Sequence, residues 1–413
     1  MDQHQTNAES AIARFLFLSL SFYIPFYVFF MGDDSFLINM HFVCIAVTKL
    51  INKLFLHKAF PGFVWTADSY WAYVASLTFF SFAILGSVVW FTFLKQKRAL
   101  LFFDFVFVIA RYFVAFELLF YGIEKLDGVQ FHVQANRLIT AIGSSDPFNL
   151  FWISTGSSKS YSLFGGLLET MSAFLLFFRR TTTLGCLIAI PVLLNVLLIN
   201  IGFDVPIKLK SFHLLIFCLY LLTPDIKNLF NFFVLRQSAS LSPPSPLTWR
   251  RGKTAYWIRH AFKFLVIGFI LFRIVKGEVN YSNNFRHSPY QQLFGIFNVK
   301  DFQLVREPNV TGDTLAKWKK LAISPGNGLQ VQLSNDSIAD FDYKADMKHK
   351  IIELTSWVDN QHTATLHFTE SESNQWLFEG TYNTDSIRFS STKVDLDSLP
   401  LLKGRGKIKW TYD

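Results

Sequence analysis

Apolar positions fall into long, nearly unbroken runs up to about residue 275, and into short alternating ones from about 285 onward. Runs of about 18 or more residues, enough to cross a ~30 Å hydrocarbon layer as a helix, occur near 12–31, 71–94, 101–122, 161–178, 183–200, 208–224 and 257–275. They predict seven membrane spans. Beyond them, FQLV, GLQVQLS, HKIIELTSW, TATLHFT, QWLFEGTY, DSIRFSS and KIKWTY alternate with a period of two and are bounded by turn pairs such as Asn-Gly and Pro-Gly. That pattern predicts an antiparallel β domain of seven or eight strands, a small barrel or sandwich.

The breaks between runs set the expected domain plan. Residues 1–97 hold two spans, with INMHFVCIAVTKLINKLFLHK between them; Lys49, Lys53 and His57 at four-residue spacing predict an amphipathic helix lying on the membrane surface. Residues 98–235 hold a four-helix core. Residues 236–256 contain the Pro/Ser-rich stretch QSASLSPPSPLT and form a basic linker. Residues 257–276 are the seventh span, and 277–413 the β-rich domain. MDQHQTNAES, with Asp2 and Glu9 and no basic residue before Arg14, does not have the form of a signal peptide, so the first run is expected to stay as a helix.

Charge sharpens this plan. The whole chain carries +9, but residues 277–413 are net −2, which leaves +11 for the apolar part. The basic excess lies in short loops at Lys95, Lys97, Arg98, at Arg179, Arg180 and at Arg236, Arg250, Arg251, Lys253. Such placement is a topology signal and argues against nucleic-acid binding; it predicts a cytoplasmic N-terminus and an extracytoplasmic β domain in the cell membrane. Lys208 and Lys210 run against it. Cys44, Cys186 and Cys218 all fall in apolar runs and form no CxxC, so nothing supports zinc-ribbon, iron–sulfur or dithiol chemistry.

The third run breaks its own pattern. RYFVAFELLFYGIEKL places Arg111, Glu117 and Lys125 where a charge costs several kcal/mol, roughly, unless it is compensated. On a helical wheel Asp104, Arg111, Glu117, Tyr121, Gly122 and Lys125 share about two fifths of the circumference. A stripe of this kind faces a bundle interior or a water-filled cavity, and Gly122 on it admits a close neighbour. Arg111 and Glu169 sit near the middle of consecutive spans, which predicts an Arg111–Glu169 ion pair. Asn195 and Asn200, with Asp204, Lys208, Lys210 and His213 around the tight turn at Pro206, climb towards the same outer side. The expected site is therefore an outward-opening polar chamber lined by Arg111, Glu117, Tyr121, Lys125, Glu169, Asn195, Asn200, Asp204, Lys208 and His213. The loop 123–160 is its expected cover, with Gln130, His132, Gln134 and Arg137 in a short helix and Asn149, Trp152 and Ser160 at the rim.

Residues 98–235, about a third of the chain, resemble the DoxX-like superfamily of small four-helix membrane proteins. The resemblance is carried by RYFVAFELLFYGIEKL, by LFGGLLETMSAFLLFFRRTTTLG with Gly165, Gly166, Glu169 and Arg179–Arg180, and by NVLLINIGFDVPIKLKSFHLLIF. It implies the four-helix core. It also implies a role as a membrane subunit in quinone-linked oxidation, with a quinone or small amphipathic ligand in the chamber. The additional N-terminal spans, the seventh span and the β domain depart from the minimal family. A second likeness is to the membrane domain of vitamin K-dependent carboxylases, in which a helical bundle also precedes a β-rich domain; it implies Lys125 or Lys208 as a base.

Three functions follow as expectations: a redox-associated subunit that binds a quinone; an assembly protein whose β domain, 277–413, recruits an extracytoplasmic partner; and a transporter. The last ranks lowest, because the inner half of the core is nearly bare of polar groups. His349, His362 and His367 are scattered along the β domain, which favours non-catalytic use of it.

Overall fold

The computed structural model describes residues 2–32, 40–60, 67–93, 99–241, 253–285, 288, 290–305, 317–326, 328–357, 363–371, 374–383 and 385–403. Lys95, Lys97, Arg98, Arg250, Arg251, His362, most of the Pro/Ser-rich linker and the KIKWTY run lie outside the described residues. The chain divides into two compact units, 1–127 with 164–275, and 128–163 with 276–413.

The first unit is helical. α1 (Asp2–Phe26) continues through a wide turn to Met31, and α2 (His41–Ile51), α3 (Tyr70–Phe93) and α4 (Ala99–Asp127) follow. α7 (Lys159–Leu176) crosses into this unit, and α8 (Thr182–Gly202), α9 (Lys208–Leu222), α10 (Ile226–Phe233) and the long α11 (Lys253–Phe285) complete the series. Each of the seven predicted runs overlaps a helix, although 161–178 and 208–224 extend two residues past theirs. By length and composition, four described helices can cross a membrane: Ala11–Met31, Tyr70–Thr92, Leu101–Asp127 and Arg179–Gly202. The pair α9 and α10, bent by 80°, would make a fifth. Pro224 stands at that bend; a proline cannot supply the backbone N–H a continuing helix needs.

Local chemistry ends the helices where the sequence permits. α4 stops at Asp127 because Gly128 takes a left-handed φ of 77°. The segment after Met40 forms a helix, His41–Ile51, continued by a wide turn to Leu56, with Lys49, Lys53 and His57 exposed and Cys44 and Thr48 buried. The core of the unit is unusually aromatic: Tyr27, Phe113, Phe116, Phe177, Phe217 and Tyr220 are all buried, among alanines on α3, α4 and α8 that let the helices approach.

The second unit is a closed barrel of eight antiparallel strands in sequence order, β1 (Gly295–Val305), β2 (Trp318–Ile323), β3 (Gly328–Leu333), β4 (Ile338–Asp346), β5 (Ile351–Ser356), β6 (Thr363–Ser371), β7 (Gln375–Tyr382) and β8 (Asp385–Lys393). Alternation fills its interior: along β6, Ala364, Leu366 and Phe368 point in, while Thr365 and His367 are exposed. Irregularities in β1, between Lys300 and Gln303, and in β2, between Trp318 and Lys320, bend those strands. The predicted runs do not include β2 and β4. Paired lysines interrupt β2, and acidic residues at alternate outward positions give β4 the composition of a polar loop.

The segment 128–163, which includes most of the loop 123–160, groups with the barrel. Its short helix α5 (Ala135–Ile139) buries Ala135 and Ile139 with Ile296 of β1 and Ala322 of β2. The Asn136 backbone N–H donates to the Ser324 hydroxyl, which in turn donates to Asn136 Oδ1, each at 3.2 Å. α6 (Pro147–Ser157) is capped by Asp146, whose carboxylate accepts from the Asn149 backbone at 2.7 Å.

Phe378, fully buried between Phe297 and Phe389, carries the barrel's packing. Phe378→Ala should cost about 3–5 kcal/mol of barrel stability, whereas His367→Ala on the outer face should cost about 0.5 kcal/mol or less. Tryptophan fluorescence during denaturant unfolding of the full chain checks both.

Candidate functional site

The helix crossing that organises the polar groups is set by two glycines. A Cβ on Gly122 of α4 would meet Thr170 Oγ1 at 2.5 Å and the Gly166 carbonyl oxygen at 3.1 Å; one on Gly166 of α7 would meet the Gly122 oxygen at 2.8 Å and Lys125 Cβ at 2.9 Å. The two backbones touch there, and only residues without side chains allow it. One turn further on, Lys125 Nζ donates to Glu169 Oε2 at 2.6 Å, with the two side chains 11% and 4% exposed. The crossing thus delivers a short, charge-assisted bond inside the bundle.

This corrects the expected Arg111–Glu169 pair. Glu169 is taken by Lys125, and Arg111 lies near the middle of α4, roughly 21 Å along the axis from Lys125 at the helical rise. There the Arg111 guanidinium packs over the Tyr112 ring at 5.0 Å, and its Nη1 has no hydrogen-bond partner among the described residues. The crossing at Gly122 and Gly166 puts Lys125, not Arg111, at the level of Glu169.

A second buried pair lies beside the first. Lys210 Nζ on α9 stands 3.4 Å from Glu117 Oε2 and 3.3 Å from the Tyr121 hydroxyl. Glu117 is 1% exposed. Both Lys210 and Lys125 lie over the Tyr121 ring, at 5.5 Å and 5.7 Å from its centroid, so the aromatic face is shared by two ammonium groups. Three helices, α4, α7 and α9, therefore contribute to one cluster of Glu117, Tyr121, Lys125, Glu169 and Lys210.

His213, one turn along α9 from Lys210, sits in an aromatic cage. Its Nδ1 lies 2.6 Å from the Leu209 carbonyl oxygen, which can only accept, so the proton is on Nδ1. In the neutral ring Nε2 then accepts from the Tyr23 hydroxyl at 2.7 Å. The Tyr27 ring stacks on the imidazole at 4.0 Å. Tyr27 is also close enough to Lys210, Glu117 and Tyr121 to feel their electrostatic effect, which joins cage and cluster.

The rest of the expected chamber divides. Asn200 is buried and donates to the Ser211 hydroxyl at 3.0 Å, a bond that ties α8 to α9. Asn195 is exposed on α8 and takes no part. Asp204 is exposed at the turn with φ 52° and bonds Lys208 Nζ at 2.6 Å. Their role is to hold the α8–α9 corner. Glu117 and Glu169 are each paired with a lysine, Lys210 and Lys125 respectively. One groove with free volume, about 460 Å3, is apolar and lies along α7, lined by Leu167, Thr170, Met171, Phe174, Leu175, Phe178 and Thr181.

Sequence reasoning missed Asp68, Tyr23 and Tyr27. Asp68 caps α9 from 140 residues away: its two carboxylate oxygens accept from the backbone N–H groups of Lys208 at 2.7 Å and Leu209 at 2.9 Å. An acid between two apolar runs was the available signal; nothing local pointed to α9. Among the described residues no group of His, Cys, Asp or Glu is arranged to hold a metal ion, and the three cysteines are buried thiols. In the barrel, His349 pairs with Asp346 at 2.6 Å on the surface, and the bonds from His349 hold that carboxyl below its ordinary range.

Lys125→Met should leave Glu169 buried without its cation and destabilise the bundle by about 3–5 kcal/mol, while Lys125→Met with Glu169→Met should recover most of that loss. Unfolding of the detergent-solubilised chain, run as a double-mutant cycle, measures the difference.

No protein-family profile matches the chain, and no solved structure matches it. It is 35% identical over 123 residues to the uncharacterized protein YwoB of Bacillus subtilis (strain 168), an alignment that covers 30% of this chain and 79% of YwoB. Over that stretch the similarity is high enough, and its coverage of YwoB complete enough, that this chain belongs to the same family as YwoB.

Proposed function

We propose that the membrane unit binds a small amphipathic ligand whose polar head is held at Tyr121 and Lys210, and that the ligand is a quinone passing electrons to or from a partner. The observation that carries this reading is the contrast between two neighbouring ion pairs. Lys125–Glu169 is tight at 2.6 Å, whereas Lys210 stands 3.4 Å from Glu117 and 3.3 Å from Tyr121, at the long end of hydrogen bonding. A carbonyl oxygen can compete for the Lys210 ammonium without breaking the bundle. Tyr121 adds a second donor, and the aromatic cage of Tyr27 and His213 adjoins it. The resemblance of residues 98–235 to DoxX-like proteins supports the choice of a quinone over other amphipaths. In this reading the N-terminus is cytoplasmic and the barrel extracytoplasmic, as the loop charges favour.

A second role, recruitment of an extracytoplasmic protein partner through 277–413, is favoured by the barrel's filled interior. Trp376, Phe378, Phe389 and Phe297 occupy it, so its outer face is the surface available for contact.

The protein purified from membranes should carry a lipid-soluble quinone, detected in an organic extract. Lys210→Met should reduce its occupancy about tenfold, the scale of a lost charged hydrogen bond, with the helical content unchanged. An extract free of quinone, together with unaltered binding of added quinone by Lys210→Met, would sink the proposal.

A further inference from the structure

We infer that α10 (Ile226–Phe233) lies in the plane of the membrane, and that its outward apolar face is a docking surface for the bilayer itself, at the boundary between head groups and acyl chains. This surface is separate from the site proposed at Tyr121.

Two hydrogen bonds fix where the crossing made by α9 ends. Asn200 Nδ2 donates to the Ser211 hydroxyl at 3.0 Å, and at the other end of α8 the Thr183 hydroxyl donates to Asp225 Oδ2. Between Thr183 and Asn200 α8 rises about 26 Å, close to the ~30 Å of a hydrocarbon core. α8 belongs to a crossing segment, Arg179–Gly202. Its neighbour α9, tied to it at both ends, therefore completes its own crossing by Asp225. α10 starts at the next residue, level with the first turn of α8, where the chain turns through 80°. A helix at that angle to a spanning one runs along the membrane face. With eight residues, about 12 Å in length, it is also too short to cross.

The outward face has the chemistry of lipid contact. On a helical wheel Ile226, Phe230 and Phe233 share about 60° of arc, and all three are exposed, Phe233 at 66%. Asn228 and Asn231 lie on the far side and are half-buried, while Leu229 packs against the core of the unit. The helix thus turns its apolar side away from the protein. Water penalises that orientation and acyl chains favour it. Lys227 near its start and Arg236 just past its end are exposed, where long cationic side chains reach head groups while their stems stay on apolar surface. From Ile226 to Gly277 the chain contains no Asp or Glu, so the charges that follow the bend all have the sign that anionic head groups attract.

The test uses Ile226→Cys, Phe230→Cys and Phe233→Cys, each made singly in the full chain and labelled with an NBD fluorophore. The native thiols are buried, so the label goes to the introduced one, and the unsubstituted chain treated alike gives the background. The proteins are reconstituted in phosphatidylcholine vesicles that contain lipids with a nitroxide either near the head group or near the chain end. All three labels should be quenched more by the shallow nitroxide than by the deep one, and to the same extent. Leu194→Cys, exposed near the middle of the α8 crossing, should show the reverse order. Quenching that passes from shallow to deep between residues 226 and 233, over about 10 Å, would make α10 the second half of a broken span. Quenching by aqueous iodide and by neither nitroxide would place the face in water. Protection from all three quenchers would mean that protein, such as a second copy of the chain, covers it. Each of these last three results overturns the inference.

Discussion

The close approach of α4 and α7 at Gly122 and Gly166 governs what the polar residues of the bundle can do. Charges cannot be left alone in an apolar slab, and the attraction between two of them offsets their desolvation only when the geometry is good. Two glycines facing each other bring the backbones into contact, and from there Lys125 reaches Glu169 at 2.6 Å with both side chains covered. Beside that pair, Lys210 of α9 meets the Glu117 carboxylate and the Tyr121 hydroxyl at longer distances.

The middle of α4 shows the same principle in the other sense. Arg111 lies too far along the helix to share Glu169. Packing over Tyr112 supplies a cation–π contact, which compensates a guanidinium only in part. One helix thus carries paired charges towards its C-terminal end and a guanidinium packed on an aromatic ring near its middle.

The β unit obeys a simpler rule. Eight strands closed in sequence order leave no free edge, and the alternation of each strand fills the interior with Trp376, Phe378 and Phe389 while the outside stays polar. Most of its strands were legible because Thr, Ile, Leu and Phe alternate without interruption. β4 was not, since Asp340, Asp342 and Lys344 dominate its outward face and hide Phe341 and Tyr343, which point in.

By itself the sequence determined the long apolar helices, the barrel or sandwich of alternating strands, the amphipathic helix after His41 and the polar stripe on α4 with its glycine. Each of these depends on a period or a run within a single element, and local spacing records it. Which charge meets which was a different matter. Lys125 rather than Arg111 faces Glu169, Asp68 caps α9 across 140 residues, Tyr23 and Tyr27 enclose His213, and 128–163 packs on the barrel. Those pairings depend on the angle and depth at which helices cross and on how far each side chain extends. Only the packed chain contains that information, because a helical period states which face a residue occupies and not what stands opposite it.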